Sequence, residues 1–381
     1  MRKFKGLIFV LIIIFLGVNQ FVNPVSAEPE GTNPLAIVSR IPAVAWSRDV
    51  AAGGYRDGAP IGGFGAGTIT WRFDGNFYQR LSTGSNNAWA EENCGFYMYQ
   101  KSGTGKKIFT RLDSASLDTG QATYYSLFPK AWVDYHGTFF PCKARVTQFS
   151  PIIPGDYQRS SYPVGVYQWE FTNPTSAPCE IGIMLTWWNP AGNTAEIFSD
   201  PDDENTASSK RVGLTLRREG NQPATKESQI EYTLAGEERG NVKISCASAS
   251  SLKKLVKDFK QDGLLNNCAG ANKNGAIAIT VKLAPGESAA VPIIIAWDVP
   301  ISLDDTLGPN KRYKRYTRYF GRSGLNSRQI AREALDNFEL WEKAVAGWQS
   351  AVINNPKYPD WLKSALFNEL YYYFIGFRTG R

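Results

Sequence analysis

The chain has 381 residues, 43% hydrophobic and 20% charged, with a formal net charge of +7. That length accommodates one large or two ordinary domains, and the balance of apolar to charged residues excludes a disordered or acidic-tail protein. Against 11 Trp, 18 Tyr and 21 Phe there is a single histidine, His136, so every site that needs two imidazoles is excluded, the HExxH zinc site and the two-His iron triad included.

Arg2, Lys3 and Lys5 precede an apolar run from Leu7 to Val18, and Val25-Ser26-Ala27 ends it in a small-residue cleavage pattern. The run is short for a bilayer span, which takes about 20 residues. It predicts an export signal cut after Ala27, with an uncut signal anchor as the alternative. Removal takes away three positive charges and no acid, so the balance falls from +7 to +4, which gives little support for a nucleic-acid partner. No later stretch reaches transmembrane length. Cys94, Cys142, Cys179, Cys246 and Cys268 have no CxxC spacing and do not read as a zinc site. In an oxidising compartment one or two bridges are compatible with the odd count, and the pairing is not readable from spacing.

From Gly31 to Pro300 short β-type runs alternate with turn clusters. The runs lie near Phe77, at 95–100, 122–128, 143–149, 164–173, 179–188, 276–283 and 289–297, all rich in β-branched and aromatic residues. This predicts a mainly β fold, an antiparallel two-sheet sandwich over 28–310. The polar segment from Asp200 to Gln229 reads as an exposed loop with at most one edge strand. Residues 311–322, KRYKRYTRYFGR, read as an amphipathic helix that packs its tyrosines and keeps its Lys and Arg in water; base stacking by interleaved Tyr and Arg is the rival reading. Beyond it Ile330, Ala334, Phe338, Trp341, Val345, Trp348 and Val352 recur at helical spacing, and Asn354-Asn355-Pro356 ends the helix. A second helix begins at YPDW, with Asp360 as its N-cap.

Three motifs bear on chemistry. The glycine run Ile61–Gly67, IGGFGAG, lacks the strand-before and helix-after context of a dinucleotide fingerprint and the GK[ST] of a phosphate loop. It reads instead as close backbone approach within a β layer. His136 has no GxSxG elbow beside it and reads as a turn histidine. No cofactor or metal is called for. In the last helix Leu362, Leu366, Glu369 and Tyr373 fall on one stripe, making Glu369 the one ionisable member of an apolar face. Such a carboxylate is costly unless it is paired or used.

The stretches APIGGFGAGTITWRFDGNFYQRL, QFSPIIPGDYQRSSYPVGVYQWEFTN, IIIAWDVP, RYTRYFG and YPDWLKSALFNELYY together resemble glycoside hydrolase family 116, from about Ala43 to Tyr372. The resemblance implies a β-sandwich followed by an (α/α)6 helical barrel, with residues 311–381 as linker helices and the start of that barrel. It also implies a retaining β-glucosidase or glucosylceramidase, acting on a β-glucoside or a glucosylceramide-like substrate, with Glu369 as nucleophile. The family's acid/base aspartate lies beyond the matched stretches. The chain departs from the family pattern near Tyr373, so the sequence implies an inactive fragment in which the stripe around Trp341 and Trp348 lacks most of its partners. A stand-alone carbohydrate-binding sandwich, using exposed aromatic faces on sugar rings, is the alternative.

Overall fold

The structure, a computed structural model, describes residues 58–72, 74–81, 89–91, 93–118, 120–188, 194–203, 206–217, 230–266, 273–302 and 312–371. The expected export signal, Cys268, Tyr373 and residues 218–229 lie outside the described residues.

A small antiparallel sheet is made by β1 (Pro60–Ile61), β2 (Thr68–Trp71), β3 (Phe77–Arg80) and β4 (Trp89–Glu91). The chain continues through β5 (Gly95–Ser102), β6 (Lys107–Arg111), β7 (Ala122–Leu127), β8 (Lys130–Tyr135), β9 (Lys143–Phe149), β10 (Val164–Thr172) and β11 (Cys179–Trp188). Next come β12 (Thr194–Asp203), β13 (Thr206–Arg217), β14 (Glu231–Arg239), β15 (Val242–Ala249), helix α1 (Leu252–Asp262), β16 (Asn274–Leu283) and β17 (Ser288–Asp298). A short pair, β18 (Ile301–Ser302) and β19 (Arg312–Tyr313), leads into α2 (Thr317–Phe320), α3 (Ser327–Ile353) and α4 (Asp360–Asn368).

The fold is mainly β: an eight-stranded sheet in the order β12-β13-β14-β17-β10-β9-β8-β7 lies over a five-stranded sheet, β15-β16-β11-β5-β6. Neighbouring strands pair antiparallel, as in β10 with β17 and β11 with β16. The apolar runs explain the layering. Tyr167, Trp169 and Phe171 of β10 and Val291, Ile293 and Ile295 of β17 point into the core shared with Ile181, Ile183, Ile277 and Ile279 of the other sheet. The alternate residues, Val164, Val166, Ile294 and Ala296, face α3 instead, meeting Ile330, Ala334, Phe338 and Trp341. Both faces of β10 and β17 are therefore covered, and this is why VPIIIAW is continuously apolar rather than alternating.

Each strand run read from the sequence is present, within a residue or two at its ends. Three expectations are corrected, and one element is additional. In its described part, up to Arg217, the Asp200 segment is not a loop: β12 and β13 pair as a long antiparallel ladder, and β13 is an internal strand that buries Val212, Leu214 and Leu216. Arg211 in its middle and Arg217 at its end find acidic partners in Asp336 and Glu196, which hides the period-two pattern in a charged composition. Residues 252–262 form a helix that was not anticipated; Leu255 and Phe259 seat it on Tyr97, Tyr99 and Met184, and Gly263 ends it at φ +81°. The amphipathic helix expected at 311–322 is a two-residue strand and a short helix, and its Lys314 is buried. The stripe of α3 does not lack partners, because the eight-stranded sheet covers it and Trp341 is only 2% exposed.

Cys142 and Cys179 are joined, tying the residue before β9 in one sheet to the start of β11 in the other. Cys94 and Cys246 are buried. No helix among the described residues is long and apolar enough to cross a membrane.

Candidate functional site: the seat of the Glu369 helix and the buried carboxylate joint

The FNELYY segment straddles the C-terminal end of α4. Pro359 is the residue at which α4 begins, and Asp360 is not the N-cap but the first helical residue, where its carboxylate meets the helix N-terminus and Lys363. The face that docks is carried by Phe367, Asn368 and Tyr371. Phe367 sets its ring edge-on to Trp348 of α3, and Tyr371 does the same to Phe128. The Asn368 amide donates to the Ser126 carbonyl at 3.0 Å and accepts the Phe128 N–H at 3.1 Å. The Tyr371 hydroxyl donates to the Lys130 carbonyl at 3.0 Å, and Gln349 of α3 donates to the carbonyls of Leu127 and Phe128 at 3.1 and 3.0 Å. The β7–β8 turn, which contains the cis Phe128–Pro129 bond, is thus a socket whose polar backbone groups are taken up by two helices. Lys130 closes the seat: its buried amine lies 3.6 Å from Glu342, and burial pulls its pKa below the usual lysine range against the attraction of that carboxylate.

Glu369 itself caps α4 with helical φ −59°, ψ −25°, and its side chain is exposed. The expectation of a carboxylate set among packed aromatics is therefore not met. Leu362 and Leu366, which share its stripe, are only half-buried, and the buried face of the segment runs through Phe367 and Tyr371 instead. The helix turned the other way because Asn368 offers the turn a donor and an acceptor at once, which a leucine stripe cannot. Asn368 was not singled out from the sequence; an amide beside two large aromatics in FNELYY was its only signal.

A second polar cluster lies under the glycine run. Glu231 begins β14 and Asp298 ends β17, and they are directly opposed across the ladder. Glu231 accepts the Ser327 N–H and hydroxyl at 3.0 and 2.7 Å. Asp298 accepts the Asn326 N–H and amide at 2.9 and 2.8 Å and the Tyr316 hydroxyl at 2.8 Å. Both carboxylates thus hold the N-terminal turn of α3, whose free N–H groups and dipole favour negative charge. Burial pushes both pKa values up, opposed by these hydrogen bonds. Lys314 donates to the carbonyls of Ala66, at 3.2 Å, and Leu81, and Trp297 donates to Ala66 at 3.1 Å. Burial lowers the Lys314 pKa to about 7, against the pull of Asp298.

These groups are sealed, with Asp298 at 0% and Glu231 at 2% exposure. A retaining pair must touch a sugar, so this cluster is a structural joint and not a catalytic one. The glycine run is confirmed as close packing: Gly62 donates to Ser150 at 2.6 Å, and a Cβ on Gly62 or Gly63 would overlap backbone of Gly67 or Ser161. His136 sits 2.9 Å from the Thr123 hydroxyl at the β7–β8 pair and is exposed. Of the tryptophans whose side chains are described, Trp361 alone is exposed, so the aromatic richness is mostly core filling.

Among solved structures the chain has weak likenesses. One is to a GH36 alpha-galactosidase from Geobacillus stearothermophilus, at 7% identity and TM-score 0.33, covering 62% of this chain and 40% of that one. Another is to a GH92 alpha-mannosidase from Bacteroides thetaiotaomicron, at 11% identity and TM-score 0.32, covering 84% of this chain and 39% of that one. The chain spans about two fifths of the length of those structures, and likenesses this weak carry no argument about the reaction. The sequence model of the beta-glucosidase 2, glycosyl-hydrolase family 116 N-terminal domain matches residues 58–341, which takes in both sheets, the glycine run, the carboxylate joint and half of α3. On that match the chain belongs to the family of glycosyl-hydrolase family 116 N-terminal domains.

Proposed function

We propose that this chain is the N-terminal region of an exported retaining β-glucosidase or glucosylceramidase, released from its signal after Ala27, with Glu369 as the nucleophile. In this reading residues 28–310 form the sandwich and residues 311–381 open the helical catalytic domain. The observation that carries the proposal is the family match over 58–341 followed by the FNELYY segment, in which Asn368 and Tyr371 grip the sandwich. That grip leaves the Glu369 carboxylate accessible, as attack on an anomeric carbon requires. A retaining reaction needs a second carboxyl about 5 Å from the first. None of the matched motifs supplies it, so the 381-residue chain by itself is proposed to hydrolyse unactivated glucosides little or not at all.

The test uses a 2-deoxy-2-fluoro-β-glucoside with a dinitrophenolate leaving group, which departs without protonation. Mass spectrometry is expected to find the fluoroglucosyl adduct on the peptide containing Glu369, and none in Glu369→Gln. An adduct on another carboxylate, no adduct at all, or brisk alkyl-glucoside hydrolysis that survives Glu369→Gln removes the assignment.

A further inference from the structure

The outer face of the five-stranded sheet, the one that carries α1, gathers a set of exposed lysines. On α1, Lys253, Lys254, Lys257 and Lys260 all fall on the side opposite Leu255 and Phe259, and all four are exposed. Beyond α1 the same face presents a row across four strands: Lys282 of β16 opposes Glu180 of β11, which opposes Lys101 of β5, which opposes Lys107 of β6. These three lysines are exposed as well, and Glu180 is flanked by two of them. The side is fixed by parity, because Lys101 follows Tyr97 and Tyr99, whose rings lie beneath α1.

Several arginines elsewhere are matched by carboxylates. Arg145 faces Asp134, Arg159 faces Asp156, Arg211 faces Asp336 and Arg328 faces Asp200. The two carboxylates of α1 take local hydrogen bonds: Asp258 accepts from Asn266, and Asp262 from the Leu264 N–H. Among the described residues no carboxylate forms an ion pair with any of the four α1 lysines. Lys107 donates to the Gln261 carbonyl at the helix end, and Lys260 lies over Phe109, so the α1 lysines stand on a helix pinned to the sheet at both its core face and its last turn.

We infer that this lysine face docks the protein, through α1 and the adjoining strand row, onto the anionic headgroups of a lipid bilayer. Three features favour a bilayer over a nucleic acid. The face is a helix lying on a sheet, and α1 has no exposed aromatic on which a base could stack. Its charges are lysines, compact and hydrated cations on flexible stems, rather than the arginine forks that take single phosphates bidentately. The lysines also lie side by side on the outward face of one helix, which lets them meet a plane of headgroups together.

The test is co-sedimentation of the full chain with vesicles of phosphatidylcholine alone or with added phosphatidylglycerol, at low and high salt. Neutral vesicles report any contribution from the apolar run at 7–18. Binding should appear on adding phosphatidylglycerol and fall steeply with salt. Each lysine should account for about a fivefold change in partitioning, so the quadruple K253Q/K254Q/K257Q/K260Q variant should lose affinity by about six hundredfold with its thermal melt unchanged. The corresponding quadruple Lys→Arg variant keeps the charge and should bind as the parent does. Displacement by millimolar inorganic phosphate would reassign the face to a free anion. Equal binding to neutral vesicles, retention by the quadruple glutamine variant, or a preference for duplex DNA at the same salt overturns the proposal.

Discussion

Glu231 and Asp298 face each other directly across β14 and β17, two like charges buried at one rung of a ladder. Opposed like charges normally weaken a sheet. Here the arrangement persists because each carboxylate has its own donors, Ser327 in the first turn of α3 for one, and Asn326 at the α3 N-cap with Tyr316 just before α2 for the other. The helix N-terminus is in effect the counter-charge, and the pair fixes where α3 enters the fold.

The pair has a pH signature. Burial raises both folded pKa values above those of the unfolded chain, so the folded state holds these protons more tightly. Their contribution therefore favours folding at low pH and is lost as the pH rises through the raised folded values. Asp298→Asn is expected to flatten the fall of Tm across the weakly acidic range. A pH series by calorimetry that keeps the parent slope would show that Asp298 is not the titrating group.

Lys314 has the opposite sense. Its folded pKa is about 7, well below the unfolded value, so burying its charge penalises the folded state below that pH. The penalty is relieved as the pH rises from about 7 toward the ordinary lysine range. Lys314→Met keeps the stem volume and abolishes the titration. Its stability relative to the parent should therefore be worse at pH 9 than at pH 6, and urea midpoints at the two pH values measure the difference.

The socket of α4 predicts a local effect. Asn368→Ala leaves the Phe128 N–H without its acceptor, a loss of about 1–3 kcal/mol for a buried group. Amide exchange in α4 and in the β7–β8 turn should accelerate together while β10 and β17 stay protected. Exchange that rises across the whole chain would mean the seat is not a local unit.

The glycine run offers a paired test. At Gly63 a Cβ would overlap Ser161 backbone, whereas at Gly65, at φ +73°, nothing lies within 4 Å. Gly63→Ala should therefore cost several kcal/mol, as overpacking against backbone does, and Gly65→Ala only about 1 kcal/mol, the penalty of a left-handed residue with a side chain. Comparable melting temperatures for the two variants would contradict the packing account.

The local text carried much of the architecture. Alternation and continuous apolar runs are properties of neighbouring residues, so β9 and β11 were legible residue for residue, and the 3.6-residue recurrence from Ile330 to Val352 fixed α3 with its Asn354 stop. The FNELYY text and the family it resembles were legible for the same reason, being contiguous. The orientation of that text was not: whether Glu369 or Phe367 faces inward depends on the β7–β8 turn, 240 residues from Asn368. The burial of Lys314 was likewise hidden, because its acceptors lie 248 and 233 residues away in sequence and nothing in KRYKRY distinguishes it from its wet neighbours. Local propensity decides what an element is. Which of its faces meets the core, and which charged group can be sealed there, is set by partners that only chain folding brings within hydrogen-bond reach.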